Sequence, residues 1–224
     1  MGGREQEMEG RTYGGLSPAE RAERRRDAFV QAGLEVFGTS GFRTATVRGV
    51  CEQAGLVTRY FYESFDNMEA LLGAVFEDCL NDLLGRLDTT FEAPGVAANP
   101  KAMIVAGLKC FFAWAEDPRV ARVCLREVVG VSPSLDALWT RTMKGFVPML
   151  VALARGVYPS SEIDELEAEV LAIAVTGALS QAALRWHVDG HRIPRETMIA
   201  ATARVLRGIQ LTIEADLASA PAPD

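Results

Sequence analysis

The sequence predicts an all-α protein with a small N-terminal helical domain and a larger C-terminal helical domain. From Pro18 onward, apolar residues recur three and four positions apart, which is the spacing of an amphipathic helix. Prolines and capping side chains interrupt this pattern repeatedly, and no segment alternates as a half-buried strand would. Because 49% of the 224 residues are hydrophobic, the chain can bury a sizeable core. We expect about nine helices and no strand.

The N-terminal domain is predicted over residues 18–66, after a disordered tail at 1–17 that is rich in glycine and charge. An apolar stripe predicts a first helix that ends near Gly38. Thr46 caps a short second helix that stops at Gly55, and a third short helix runs to Phe65. Two short helices joined by a turn that contains glycine form a helix-turn-helix unit.

The C-terminal domain is predicted over residues 67–218, with a disordered tail at 219–224. Asn67 is a suitable cap for a long fourth helix. Further helix starts are expected where a capping residue precedes a proline, at Asp117 and Ser132. Two more helix boundaries are expected, at Tyr158–Ser161 and at Arg192–Pro194.

The outward face of the predicted helix-turn-helix unit is suited to nucleic acid. Arg59 can donate two hydrogen bonds to guanine, and Thr58 can contact a base edge. Tyr60 and Tyr62 offer hydroxyl groups to phosphates, and Thr46 can join helix N-terminal amides around a phosphate. The same pattern also fits an ordinary helical hairpin with a solvated polar face, and periodicity alone leaves both interpretations open.

Residues Arg24–Leu72 resemble the N-terminal DNA-binding domain of the TetR family of bacterial transcriptional regulators. The matching segments are EVFGTSGFRTATV, RGVCEQAGL, VTRYFYESF and NMEALLGAVF. Two positions depart from the family pattern, because Val57 replaces a capping Ser or Thr and Met68 replaces a common lysine. We expect the loss of two phosphate contacts to weaken binding and flatten its salt dependence. The residues predicted to bind DNA are Arg25, Arg43, Thr46, Arg48, Thr58, Arg59, Tyr60 and Tyr62.

The net charge of −7 does not argue against DNA binding, because most of the acidity lies in the C-terminal part. Residues 1–66 contain 9 arginines and 10 acidic residues, a net charge of −1, whereas residues 67–224 have a net charge of −6. Arginines cluster at the start of the first helix, as do those that approach the DNA backbone in the family. Each of them could equally be a solvated residue paired with a neighbouring carboxylate.

The last two long helices carry apolar stripes and small residues suited to helix pairing across a twofold axis. The resemblance implies that this pair forms a homodimer interface, although a core pair within a monomer would show the same pattern. The residues predicted to form the interface are Ile173, Gly177, Leu184, Leu206, Ile209 and Ile213.

The resemblance also implies an effector cavity between the fourth and eighth helices. Aromatic and methionine residues in the intervening segments suit a broad apolar pocket, although core packing would use the same residue types. Arg122 and Glu127 are further candidates for polar contacts. The residues predicted to line the pocket are Met103, Phe111, Trp114, Arg126, Trp139, Met143, Phe146 and Thr176.

No arrangement of nucleophile, base or paired carboxylates indicates an enzyme, and we expect no catalytic activity, cofactor or metal site. The four cysteines lack metal-site spacing, and Gly190 argues against a metal pair formed by His187 and His191. With neither a signal peptide nor a membrane span expected, the predicted location is the cytoplasm, with nucleoid association when DNA is bound. The predicted function is a homodimeric repressor that a small, mainly apolar effector releases from a palindromic operator. An activator of the same architecture and, less in keeping with the sequence, an enzyme that uses the pocket are the alternatives.

Overall fold

The structure is a computed structural model that describes residues 17–97, 99–157 and 164–219. Over these residues the chain forms nine α-helices and no strand, which confirms the predicted fold class. The tail at 1–16 and the boundary predicted at Tyr158–Ser161 lie outside the described residues. The helices are α1 (Pro18–Thr39), α2 (Val47–Ala54), α3 (Thr58–Ser64), α4 (Met68–Glu92), α5 (Pro100–Ala115), α6 (Pro118–Arg122), α7 (Pro133–Val157), α8 (Glu165–Val188) and α9 (Arg195–Ser219).

Capping side chains set the helix starts largely where the sequence predicts them. Thr46, Asn67 and Asp117 each accept a hydrogen bond from a backbone N–H in the first turn of the helix that follows. The predicted tail includes Ser17, but in the structure Ser17 is the N-cap of α1. Its hydroxyl accepts from the Glu20 N–H, and the Glu20 carboxylate accepts from the Ser17 N–H, which closes a capping box.

Two short turns complete the described backbone. Phe42–Thr44 forms a 3-10 turn between α1 and α2. Residues Val123–Glu127 form a π-helical turn directly after α6, in which the Val128 N–H donates to the Val123 carbonyl. The sequence gives no local signal for this second segment, which we call the π turn. Such turns are rare and occur frequently at functional sites.

One hydrophobic core runs through both domains. It begins with Phe29 and Phe61 in the N-terminal helices and continues along α4, where Leu71 to Phe76 are buried, to Trp186 on α8. The Trp114 indole donates to the Cys79 carbonyl at 2.9 Å and so ties α5 to α4 inside this core. The two domains are therefore packed against each other without an intervening solvent layer.

Helix α8 is long and apolar enough to cross a membrane by length and composition, whereas no such segment was predicted from the sequence. The fold supplies another reason for this composition. One side of α8 lines an internal cavity, and Leu166, Val170 and Ile173 on the other side are exposed. A helix with two apolar faces reaches a high mean hydropathy without a bilayer.

Candidate nucleic-acid interface and effector cavity

Helices α2 and α3 form the compact helix-turn-helix unit that the sequence predicts. Val50 and Phe61 are fully buried between them and α1, so one side of each short helix is fixed to the core. Gly55 ends α2 with φ of 65°, a left-handed conformation that glycine adopts without steric cost. This turn sets the direction in which α3 leaves the unit.

The exposed surface of this unit carries most of the residues predicted to contact DNA. Side chains of Arg48 and Arg59 are 89% and 84% exposed, and each donates to a glutamate one turn later at 2.8 Å. These exposed pairs contribute little to stability, so the guanidinium groups can exchange a carboxylate for a phosphate or a base. The other exposed members of the predicted set are Arg43, Thr46, Thr58 and Tyr62.

Tyr60 and Arg25, both predicted to bind DNA, also contact each other. The Arg25 guanidinium lies over the Tyr60 ring at 4.5 Å, and a terminal nitrogen of Arg25 lies 3.9 Å from a Glu63 carboxylate oxygen. Both residues are half-buried. The Tyr60 ring thus packs under Arg25 and joins α1 to α3, and the contact of its hydroxyl with DNA stays a prediction. A tertiary contact across 35 positions cannot be read from helical spacing.

Val57 and Met68, the two departures from the family pattern, have clear structural consequences. Val57 is the N-cap of α3, makes no side-chain capping bond and is 60% exposed. Met68 begins α4 and packs against the core, where a lysine would extend into solvent. Neither side chain can contact a phosphate by hydrogen bonding.

A large apolar cavity lies in the C-terminal domain between α4, α5, α7, α8 and α9 and has a volume of about 530 Å³. This volume is in the range of cavities that hold small molecules. Seven of the eight predicted pocket residues line it: Met103, Phe111, Trp114, Trp139, Met143, Phe146 and Thr176.

Arg126 is the exception among the predicted pocket residues, because it is exposed and does not line the cavity. Among the described lining residues none is charged, and the polar ones all lie on α8 and α9. The contribution of α4 was not predicted, because its inward apolar stripe has the pattern of ordinary core. The missed lining residues on that helix are Phe76, Leu80, Leu83 and Leu87, and the polar lining residues are Thr176, Ser180, Gln181 and Gln210.

The residues predicted to form a dimer interface divide between two surfaces. Ile173 is 53% exposed on the outer face of α8, and Gly177 is exposed at the rim of the cavity. The remaining four are partly buried and line the cavity in the single chain, and their part in a dimer interface stays a prediction. The more apolar stripe of α9 packs inward because burial favours it. These four residues are Leu184, Leu206, Ile209 and Ile213.

Arg122 and Glu127, considered as pocket residues, instead join the two domains. Arg122 donates to the Thr39 carbonyl at the end of α1 and, at 2.9 Å, to Glu127. The Phe42 N–H donates to the second Glu127 carboxylate oxygen at 2.9 Å. Burial raises the pKa of Glu127, but the hydrogen bonds from Arg122 and Phe42 outweigh it and hold the pKa below its usual value. Glu127 is therefore an ionised acceptor for both domains at neutral pH.

His187 and His191 lie close together where α8 ends, with ring centroids 5.9 Å apart. The helix stops at Val188, and Gly190 follows with positive φ, as the sequence predicts. His191 packs on the Trp186 ring at a centroid distance of 4.3 Å. Within the described residues no group of three or more ligating side chains could hold a metal ion.

Acid should destabilise the protein through His187. Burial, with the positive charges of His191, Arg122 and Arg126, lowers the pKa of His187. The unfolded chain therefore binds a proton at His187 more readily than the folded chain does. The contribution of neutral His187 to the free energy of unfolding is complete above about pH 6.5 and is lost as the pH falls through the folded-state pKa. We expect His187→Gln to reduce the difference between urea midpoints at about pH 7.5 and about pH 5.5. An unchanged difference would exclude this role for His187.

Residues 29–75 match the family "Bacterial regulatory proteins, tetR family". Residues 29–75 therefore form a DNA-binding domain of the TetR-family type. The match spans the last part of α1, the whole helix-turn-helix unit and the start of α4, which are the elements that form the exposed surface described above. The chain is therefore a DNA-binding transcriptional regulator.

More distant likenesses extend over most of the regulator. A fatty acid metabolism regulator protein of Bacillus subtilis is 22% identical over 73% of this chain and 84% of its own length. The transcriptional repressor DhaR of a Mycobacterium species is 24% identical over 81% and 91%. The crystal structure of FadR from Bacillus subtilis with stearoyl-CoA has a TM-score of 0.69 at 18% identity, covering 80% of this chain and 96% of that one. The structural likeness shows that this chain shares the fold of that FadR structure over the part covered.

Proposed function

We propose that the regulator is a homodimeric repressor in the cytoplasm that binds a palindromic operator and releases it when an apolar effector enters the C-terminal cavity. The observation that carries this proposal is a single continuous core that joins the exposed recognition helix α3 to an apolar cavity of about 530 Å³. The cavity supplies a site for a signal, and the core supplies a rigid path to the DNA-binding surface. For release, the effector must bind one domain arrangement more tightly than the other.

The cavity chemistry defines the effector. A charged group placed among apolar walls without an opposite charge would lose its hydration without compensation. The buried part of the effector is therefore neutral and apolar, with at most a hydrogen-bonding group directed toward the α8 and α9 wall. Aromatic rings and methionines line the remaining walls, and such side chains adapt to flexible hydrocarbon chains.

The relatives favour a hydrocarbon chain among apolar ligands. One is a fatty acid metabolism regulator protein, and one structural neighbour was solved with stearoyl-CoA. We propose that this regulator likewise takes a long acyl chain into its cavity. A charged carrier attached to that chain would have to remain outside, because the described lining residues include no cation to hold it.

Tryptophan fluorescence provides a direct test of cavity binding. Trp114 and Trp139 line the cavity, whereas Trp186, the third tryptophan, does not. Palmitoyl-CoA should change the emission of the wild-type regulator at the concentrations that release labelled operator DNA in a polarisation assay. We expect Trp139→Phe to remove much of this emission change and Trp186→Phe to leave it intact.

Free coenzyme A is the matched ligand control and should neither change the emission nor release the operator. Release by coenzyme A alone, or equal emission changes in the two tryptophan variants, would show that the cavity is not the effector site. Transcript levels of adjacent genes after deletion of the regulator then separate a repressor, for which they rise, from an activator, for which they fall.

Exposed apolar residues on α8 and α9 support the proposed homodimer. Leu166, Val170 and Ile173 form one stripe on α8, and Val205 is 60% exposed on α9. Gly208 is exposed on the same side of α9, where a small residue permits close helix approach. Exposed apolar stripes of this kind are typical of interaction sites.

Ile173→Lys should therefore weaken self-association, with a rise of about tenfold or more in the dimer dissociation constant, because a buried unpaired lysine opposes pairing. Val57→Lys is the matched control, since Val57 is similarly exposed but lies on the recognition unit. Sedimentation velocity measures both variants. A dimer that survives Ile173→Lys, or is equally lost with Val57→Lys, would place the interface elsewhere.

A further inference from the structure

The π turn (Val123–Glu127) lies between the cavity and the DNA-binding domain and contacts both. Cys124 and Leu125 line the cavity. Two residues later, Glu127 accepts the Phe42 N–H at 2.9 Å, at the start of the segment that leads into α2.

The widened backbone of this turn explains how five residues can serve two surfaces. In an α-helix, residues three apart share a face, so Cys124 and Glu127 would point in similar directions. The hydrogen bond from the Val128 N–H to the Val123 carbonyl adds one residue to the turn and rotates the two side chains apart. Cys124 therefore lines the cavity, whereas Glu127 lies beside the end of α1.

Both ends of the π turn are fixed, so displacement in its middle cannot be absorbed freely. Before it, Arg122 donates to the Thr39 carbonyl and to Glu127. After it, the Gly130 N–H donates to the Asp136 carboxylate at 2.7 Å, at the start of α7. Val128 is fully buried beside the turn. A shift of Leu125 must therefore move at least one of these attachments.

We propose that the π turn transmits occupancy of the cavity to the DNA-binding domain, with Arg122 and Glu127 as positioning residues for the segment between α1 and α2. This inference rests on the proposed function, since it supplies the regulation of that cavity. An occupant that displaces Leu125 alters the hydrogen bond from the Phe42 N–H to Glu127. The orientation of α2 and α3 changes as a result. The long helix α4 is a second connection between the domains, through core packing along its length and a hydrogen bond from the Gln31 amide to Asp78 at 3.3 Å.

Hydrogen exchange at the Phe42 amide tests this proposal in the full chain without a known effector. Glu127→Gln cannot accept from both Arg122 and Phe42, and it should speed exchange at Phe42 by about tenfold. Leu125→Ala touches neither partner and yet should speed the same amide by about threefold or more if the turn transmits cavity changes. Met143→Ala enlarges the same cavity from α7 and should leave the Phe42 amide unchanged.

The Val75 amide on buried α4 serves as the internal reference for overall stability. Equal Phe42 exchange in the Leu125→Ala and Met143→Ala variants would overturn the proposal, as would unchanged exchange in Glu127→Gln. Glu116→Gln, which breaks an ion pair to Arg195 within the C-terminal domain, is the matched control for loss of a carboxylate and should leave Phe42 unchanged.

Nile red, a neutral apolar dye, separates this inference from the proposed function. Dye bound in the wild-type cavity should change exchange at Phe42, and Glu127→Gln should still bind the dye while losing that change. Bound dye without any change at Phe42 would contradict transmission through the turn. Failure of the dye to bind would count against the apolar cavity as an effector site, while the comparison of Leu125→Ala with Met143→Ala would still decide the role of the turn.

Discussion

Replacing Gly38 with alanine should lower the free energy of unfolding by about 1–3 kcal/mol, as overpacking of a tight contact does. Gly38 is buried in the last turn of α1, and a β-carbon built there would lie 2.4 Å from the Arg119 β-carbon and 2.6 Å from its α-carbon. Part of this contact is backbone, so no side-chain rotation can relieve it. Helix α6 would have to move away from α1. Urea unfolding monitored by circular dichroism measures the loss.

Gly85→Ala is the matched control for Gly38→Ala. Gly85 lies inside α4, and nothing within 4 Å would meet its added methyl group. An alanine there should raise the free energy of unfolding by about 0.5–1 kcal/mol, because it favours the helix. If Gly38→Ala were also stabilising, α1 and α6 could not be packed as closely as the structure shows.

Replacing Arg59 with alanine should weaken operator binding by about 10-fold to 100-fold, the range for loss of one bidentate base contact. Arg59 lies at the start of α3, is 84% exposed and makes only an exposed pair with Glu63. The substitution should therefore leave the unfolding midpoint unchanged. Polarisation of a labelled operator and thermal unfolding, measured on the same preparation, separate the two effects.

Arg86→Ala supplies the control for Arg59→Ala. Arg86 makes an equivalent pair with Asp82 at 2.8 Å on α4, away from the recognition unit. It should bind the operator as the wild type does. Equal losses in the two variants would mean that Arg59 acts only through general charge, and no loss in either would remove Arg59 from the interface.

Local signals in the sequence were sufficient for the elements of the N-terminal domain. The Thr46 cap, the Gly55 turn and the Asn67 cap each depend on residues within one turn, and each was predicted correctly. The cavity region also followed from the resemblance, because aromatic and methionine residues between α5 and α7 converge on α4. Here the residue types and the family fold point to the same arrangement.

Tertiary contacts account for what the sequence did not predict. Arg122 bonds the Thr39 carbonyl across 83 positions, and Glu127 bonds Phe42 across 85, so neither pair has a local signature. On α9 both faces are partly apolar, and spacing could not tell the face that lines the cavity from the face that is exposed. The spacing of Tyr60 predicts an outward residue, but in the structure Arg25 lies over its ring.

Selection of binding sites from random DNA duplexes tests the central claim most directly. The wild-type regulator should enrich a palindrome whose half-sites are centred about one helical turn apart, roughly 34 to 36 Å, because the two copies of α3 in the proposed dimer would enter successive major grooves. Arg59→Ala should lose preference at specific positions of each half-site. Enrichment of no palindrome, or of the same palindrome with undiminished preference by Arg59→Ala, would contradict the assignment of α3 as the DNA-reading helix.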